Sequence, residues 1–346
     1  MSELEESSAN ENLTKEGTDG YDNTYDNVFS TAESYYIDRV GIIPVALLGI
    51  VGNLVSLAVW NSQTTYNATI LLFKYLAVWD TAFLVSVIPF IFVYEVNPWS
   101  KPSIVLNTFS LLAKLESLHT TLLIAFTRWL AVYRPVHVHT GSLLKLRHVV
   151  LACLVVLVWC LAISAVFMTF NLLPEPTAEW VYGWTAVHIV GLAFPVLPLI
   201  VFNVLLLIKI RTPFSPTSTK SEQQQSSTWG STQRLTVAIL SMSAFSVVAY
   251  TIGETTTVVH WLGHWSDGGD LFITLQSSFG LLQVVNSSVN VVFYFAFSRN
   301  FRSSSTKCFS RWVLRGRAVS AGHRGPHSED KGDSSSSRTA TETVAL

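Results

Sequence analysis

Apolar residues recur in runs of about twenty or more, separated by short polar connections rich in turn-forming residues, and seven such runs stand out: Val40 to Trp60, Ile70 to Tyr94, Ile104 to Tyr133, Val149 to Asn171, Trp180 to Ile210, Leu235 to Leu262 and Leu271 to Phe297. A bilayer core about 30 Å thick takes roughly 20 apolar residues of helix, so each run predicts one membrane-spanning helix. Three polar stretches flank or interrupt them. Residues 1–39 are too acidic and too poor in apolar side chains to fold alone, and are expected to be disordered. The bundle is predicted over 40–298, with a flexible Ser-, Thr-, Gln- and Pro-rich loop at 212–233. Residues 299–315 mix apolar and basic side chains as a helix lying on a membrane surface does, and 316–346 read as a second disordered tail. No basic stretch followed by an apolar run precedes Val40, so the first span is expected to serve as its own insertion signal.

Composition agrees with this pattern. Of 346 residues only 13% are charged and 49% are hydrophobic, whereas soluble globular proteins carry roughly a quarter charged residues. The 22 basic and 23 acidic side chains nearly cancel, which argues against binding nucleic acid through overall charge. Three cysteines, Cys153, Cys160 and Cys308, do not make a disulfide framework. Cys153 and Cys160 would lie about 10 Å apart along one helix, too far to bridge.

The near-zero net charge hides an asymmetry. Acids such as Glu3, Glu11, Asp22, Glu33, Asp38, Glu95, Glu175, Glu179 and Asp267 collect on one side of the spans. Arg134, Lys145, Arg147, Lys209, Arg211, Arg234, Arg299, Arg302, Lys307 and Arg311 collect on the other. Positive flanks remain cytoplasmic, so the N-terminus is expected outside and the C-terminus inside.

A few polar groups lie within the spans, where ionisable side chains usually face the bundle interior. They are Asp80, Lys114, Glu116 and Glu254, with Arg128 near a cytoplasmic end. Asn53, Ser117, Asn286, Ser287 and Asn290 offer amide and hydroxyl oxygens at comparable depth. One carboxyl group with several such oxygens suits a small hard cation; a hydrogen-bonded polar core without an ion is the alternative. On the third span Ser110, Lys114, Ser117, Thr121 and Arg128 share one stripe. Lys114 therefore needs an anion from within, with Glu254 and a ligand carboxylate as the two candidates. Glu116 points elsewhere and has His119 at helical spacing as a possible partner.

Gly52-Asn53, Leu76-Ala77-Val78-Trp79-Asp80, Trp159, Pro198 and Asn286-Ser287-Ser288-Val289-Asn290 followed by Tyr294, in this order along one chain, resemble the span motifs of the rhodopsin-class G-protein-coupled receptors. Thr127-Arg128-Trp129 stands where that family has Asp-Arg-Tyr. The resemblance implies an all-α membrane protein, a seven-transmembrane helix bundle, and an allosteric sodium ion at Asp80, Ser117, Asn286, Ser287 and Asn290, with Asn53 in the same polar core. It implies coupling to a heterotrimeric G protein through Arg128 and Tyr294, and a ligand pocket near Ser110, Lys114 and Glu254. The chain departs from the family in several places. Thr127 replaces the acid beside Arg128, the sixth span has no proline, and Ser103 stands where the outer disulfide would begin. Loss of the acid leaves two readings open, raised basal signalling or a decoy receptor with little coupling. Ser110 in place of an aspartate argues against amine transmitters. The acidic outer side would steer a basic peptide, and Phe202-Asn203-Val204-Leu205-Leu206 adds to a likeness with invertebrate-type peptide receptors; a merely solvated tail explains the acids equally well.

Further expectations concern modification and partners. Asn12-Leu13-Thr14 is a glycosylation sequon on the outer side. Cys308 suits palmitoylation or remains a free thiol. Ser334, Ser335, Ser336, Ser337 and Thr339 form a phosphorylatable cluster for an arrestin-type protein, and Val344-Ala345-Leu346 fits a PDZ domain. Multi-pass insertion in the plasma membrane is expected. No nucleophile with a base and no metal motif points to an enzyme, and a transporter using Asp80, Lys114 and Glu116 is the competing class.

Overall fold

The computed structural model describes residues 31–63, 67–134, 145–172, 178–211, 222–259, 269–299 and 301–310. It is an all-α bundle of seven spans. Six helices are each long and apolar enough to cross a bilayer, and a seventh crossing is a bent pair. In chain order α1 is Ala32–Asn61, α2 Ala68–Val96, α3 Lys101–Tyr133 and α4 Leu146–Asn171. The fifth span, α5, joins Ala178–His188, a wider turn at Ile189–Ala193 and Phe194–Arg211. α6 is Glu222–Val259, and the seventh span is α7, Gly269–Ser288, followed by α8, Asn290–Phe297. The chain divides into two units, Met1–Ser305 and Thr306–Leu346; the first holds the bundle, and in the second residues 306–310 are helical.

Local chemistry sets the helix ends. α1 starts at Ala32, inside the stretch assigned to the tail, because Thr31 and Ser34 form a reciprocal capping box: the Ser34 amide donates to the Thr31 hydroxyl at 3.1 Å and the Thr31 amide to the Ser34 hydroxyl at 2.9 Å. Asn67 caps α2 by accepting from the Ile70 amide at 2.9 Å, and Ser100 caps α3 ahead of Pro102 in its first turn. α6 reaches back to Glu222, into the segment expected to be a flexible loop. Between α7 and α8 the axis turns by 40° at Val289. There is no proline at this bend. Ser288 folds its hydroxyl back on the Val284 carbonyl at 2.7 Å and the Val45 carbonyl at 3.3 Å, and neighbouring serines are a known setting for kinks.

The surface is that of a bilayer protein. Leu47, Leu48, Val51 and Leu54 of α1 and Leu151, Leu154, Val155, Val158 and Leu161 of α4 are exposed, far more contiguous apolar surface than a soluble monomer carries. Asp80, Glu116, Ser117 and Asn290 are buried instead. α3 is the central post: it packs against α2, α4, α5 and α6. Where α1 meets α7 the helices close up at glycines; a Cβ on Gly49 would stand 2.1 Å from the Ser288 hydroxyl, and one on Gly52 2.8 Å from Val291.

Candidate functional site

Three constellations lie along the interior. The first is a polar layer around Asp80, which is fully buried. Ser117 of α3 donates its hydroxyl to Asp80 Oδ1 at 2.6 Å, and Asn290, the first residue of α8, donates its amide to Oδ2 at 2.6 Å. Asn53 of α1 donates to the Ser287 carbonyl at 2.9 Å. Asn53 Oδ1 is buried without a partner. Of the residues expected in the layer, Asp80, Ser117 and Asn290 are bonded directly, and Asn53 and Ser287 are bonded to each other at the break between α7 and α8. Asn286 turns aside, accepting from Ser246 of α6 at 2.9 Å. The donor set suits sodium in part: the carboxyl group, the Ser117 and Ser287 hydroxyls and the orphaned Asn53 oxygen are appropriate ligands. Asn290 faces Asp80 with its nitrogen, so it anchors the carboxyl group instead of offering an oxygen.

The second constellation is the Arg128 end. Thr127 gives its hydroxyl to the Ile124 carbonyl at 2.9 Å, within its own helix. Arg128 makes no ion pair among the described residues, and its Nε is buried without a partner. Tyr294 is buried in an aromatic cluster with Trp60, Phe73 and Phe301, at centroid separations of 5.0 to 5.4 Å; its hydroxyl has no partner. Such tilted and edge-on pairs each add about 0.5–1.5 kcal/mol beyond area burial. The Tyr294 hydroxyl makes no hydrogen bond to Arg128.

The third lies nearer the Arg39 end, between α3, α5, α6 and α7. Glu254 faces the interior, 4% exposed, which settles the register of α6. Its expected pairing with Lys114 is not what the structure contains. Glu254 Oε2 meets His188 Nδ1 of α5 at 2.5 Å. Lys114 instead donates to Gln283 Oε1 at 3.3 Å, and Gln283 passes the contact on, donating to Glu254 Oε1 at 3.4 Å. The reason is geometric: His188 on α5 comes to the carboxyl group directly, while Gln283 of α7 stands between Glu254 and the lysine. The Tyr250 hydroxyl donates to the Lys114 carbonyl at 3.4 Å, and Ser110 is buried one turn away along α3. The Trp184 ring lies 3.9 Å from that of His188.

Glu116 does not pair with His119 either. It accepts from the Tyr75 hydroxyl at 3.1 Å, while His119 Nδ1 meets the Leu115 carbonyl at 2.8 Å, because the imidazole folds back along its own helix. Gln283, His188 and Ser246 are the functional residues that sequence reasoning missed. Gln283 had a signal, since it continues the 286, 287, 290 face at helical spacing; His188 had one as an ionisable group inside an apolar span. Cys153, Cys160 and Cys308 are free thiols, and Cys308 is half-buried. Asn12, Ser334, Ser335, Ser336, Ser337 and Thr339 lie outside the described residues.

The bend at Val289 is thus bonded through Asn290 to a carboxyl group on α2. Residues 181–312 match the family described as Serpentine type 7TM GPCR chemoreceptor Srw. The match takes in α5 to α8 and supports a serpentine G-protein-coupled receptor. No curated protein matches the chain. Such a receptor implies an extracellular ligand and a multi-pass membrane location.

Proposed function

We propose that the chain is a rhodopsin-like receptor of the plasma membrane that binds an extracellular basic peptide and activates heterotrimeric G proteins by rearranging its helices. The carrying observation is the Asp80 layer. It ties α1, α2 and α3 to the bend between α7 and α8 through groups with two or more available partners, so a shift in α7 changes the hydrogen-bond set at the middle of the bundle. A separate bond from Ser246 ties α6 to Asn286, next to Ser287 in the seventh span. The acidic side, with Asp38 and Glu95 beside the Arg39 end, faces outward in this reading and draws the cationic peptide in. Arg128 meets the G protein at the basic side.

Thr127 favours raised basal signalling, because no acid among the described residues pairs with Arg128. The expected result in transfected cells is a second-messenger level above mock-transfected controls at verified surface expression. Equal levels would instead favour the decoy reading, a receptor with little G-protein coupling. Sodium at Asp80, Ser117 and Ser287, glycosylation at Asn12, palmitoylation at Cys308, phosphorylation of the Ser334 to Thr339 cluster and a PDZ contact at Leu346 complete the proposal.

A further inference from the structure

Lys114 carries a positive charge into the third constellation, and no anion there is in contact with it. We propose that this ammonium group receives a carboxylate of the ligand, so that a peptide enters with its free C-terminal carboxylate foremost. The inference rests on the receptor reading above and names the chemistry of its ligand site.

The argument is one of hydrogen-bond and charge supply. An ammonium group has three donors. Lys114 uses one, on a neutral amide and at the long distance of 3.3 Å. No other hydrogen bond of this ammonium group is found among the described residues. Glu254 is the one carboxyl group on this network, and both of its oxygens are engaged, Oε2 by His188 at 2.5 Å and Oε1 by Gln283 at 3.4 Å. Gln283 in turn is used at both ends of its amide. Glu254 acts on this cation only from beyond Gln283, and a carboxylate arriving on it replaces a neutral contact by a direct charge-assisted one.

A second observation points to the same missing ligand. His188 is 7% exposed, with its Nδ1 on Glu254, yet its Nε2 is buried without a partner; Thr185, one turn earlier on α5, is 6% exposed and its hydroxyl is equally orphaned. Polar atoms this deeply buried are almost always satisfied. A peptide terminus, with carboxylate oxygens and backbone amide groups side by side, offers a counter-ion for Lys114 together with donors and acceptors for His188 and Thr185. An amine ligand fits poorly, because Lys114 repels it and Glu254 is already engaged. The basic side chains of the ligand stay toward the acidic outer surface, so the two ends of one peptide answer the two signs of charge.

The test uses the full-length receptor purified in nanodiscs, read by thermal unfolding, which needs no G protein. One pool of basic peptides is made twice, as free acids and as C-terminal amides, and simple alkyl carboxylates are compared with their amides at equal ionic strength. Free-acid peptides should raise the unfolding temperature at concentrations at least tenfold below their amides. Lys114→Gln should abolish that preference, Lys114→Arg should retain it, and Lys114→Met provides a second neutral variant should the glutamine protein be poorly folded. Equal action of acids and amides, a preference that survives both neutral variants, or no stabilisation by any carboxylate overturns the proposal. Stabilisation by simple acids alone would keep the carboxylate at Lys114 and overturn the peptide terminus. Carboxylate-selective stabilisation without nucleotide exchange would sink the signalling reading while sparing this one, and signalling driven by amidated peptides would do the reverse.

Discussion

Asp80 shows how one side chain organises the middle of the bundle. Both its oxygens accept short hydrogen bonds, from Ser117 and Asn290 at 2.6 Å each, and leaving a buried acceptor unsatisfied costs about 1–3 kcal/mol. Asp80→Asn can keep the Ser117 bond on its remaining oxygen, and donates to Asn290 once that amide turns over, so a modest loss of stability is expected, together with loss of any sodium effect. Replacing choline chloride by sodium chloride should raise the unfolding temperature of the wild-type protein and leave that of Asp80→Asn unchanged; an equal shift in both would remove the ion from this site. Arg128 supplies a second expectation at this scale. Thr127→Asp places an acid beside a guanidinium group that has none, and basal second-messenger output should fall below wild type at matched surface expression. A variant with equal or higher output would show that the missing acid is not what leaves the basal state unrestrained. Lys114 and Glu254 were legible from sequence because ionisable groups stand out in an apolar span. His188 was passed over as a residue counted neutral, and Gln283 because an amide in a span attracts less notice than a charge.

Among the elements, the spans themselves were the most legible part, since about twenty apolar residues in a row leave little choice of structure. Their ends were not. The start of α1 depends on Thr31 and Ser34, two hydroxyl residues within an acidic stretch, and the early part of α6 has Gln, Ser and Thr with no apolar period to reveal it. The bend at Val289 had no proline to mark it and follows instead from Ser288 bonding back to α7 and across to α1. The α1–α7 contact yields an expectation of its own. Gly49→Ala would press a methyl group onto the Ser288 hydroxyl and onto Leu84, 2.7 Å away; overpacking of this kind costs about 1–3 kcal/mol. Thermal unfolding in nanodiscs should show Gly49→Ala well below wild type, and an unchanged midpoint would mean that α1 and α7 separate freely.

For the molecule as a whole, the distribution of charge matters more than its sum. Among the described residues Asp38 and Glu95 stand at the Arg39 end and Arg134, Lys209 and Arg211 at the Arg128 end, and between them lie the Glu254 network and the Asp80 layer. Gln283, Asn286 and Asn290 share one face of the seventh span and contact α3, α6 and α2 in turn. The serpentine-receptor match covers α5 to α8. The most direct test of the central claim is nucleotide exchange. Purified receptor in nanodiscs, mixed with each class of heterotrimeric G protein, should speed exchange above empty nanodiscs for at least one class, and Arg128→Ala should abolish the gain. A folded receptor that leaves exchange at the empty-nanodisc rate with every class, with and without the free-acid peptide pool, would contradict it.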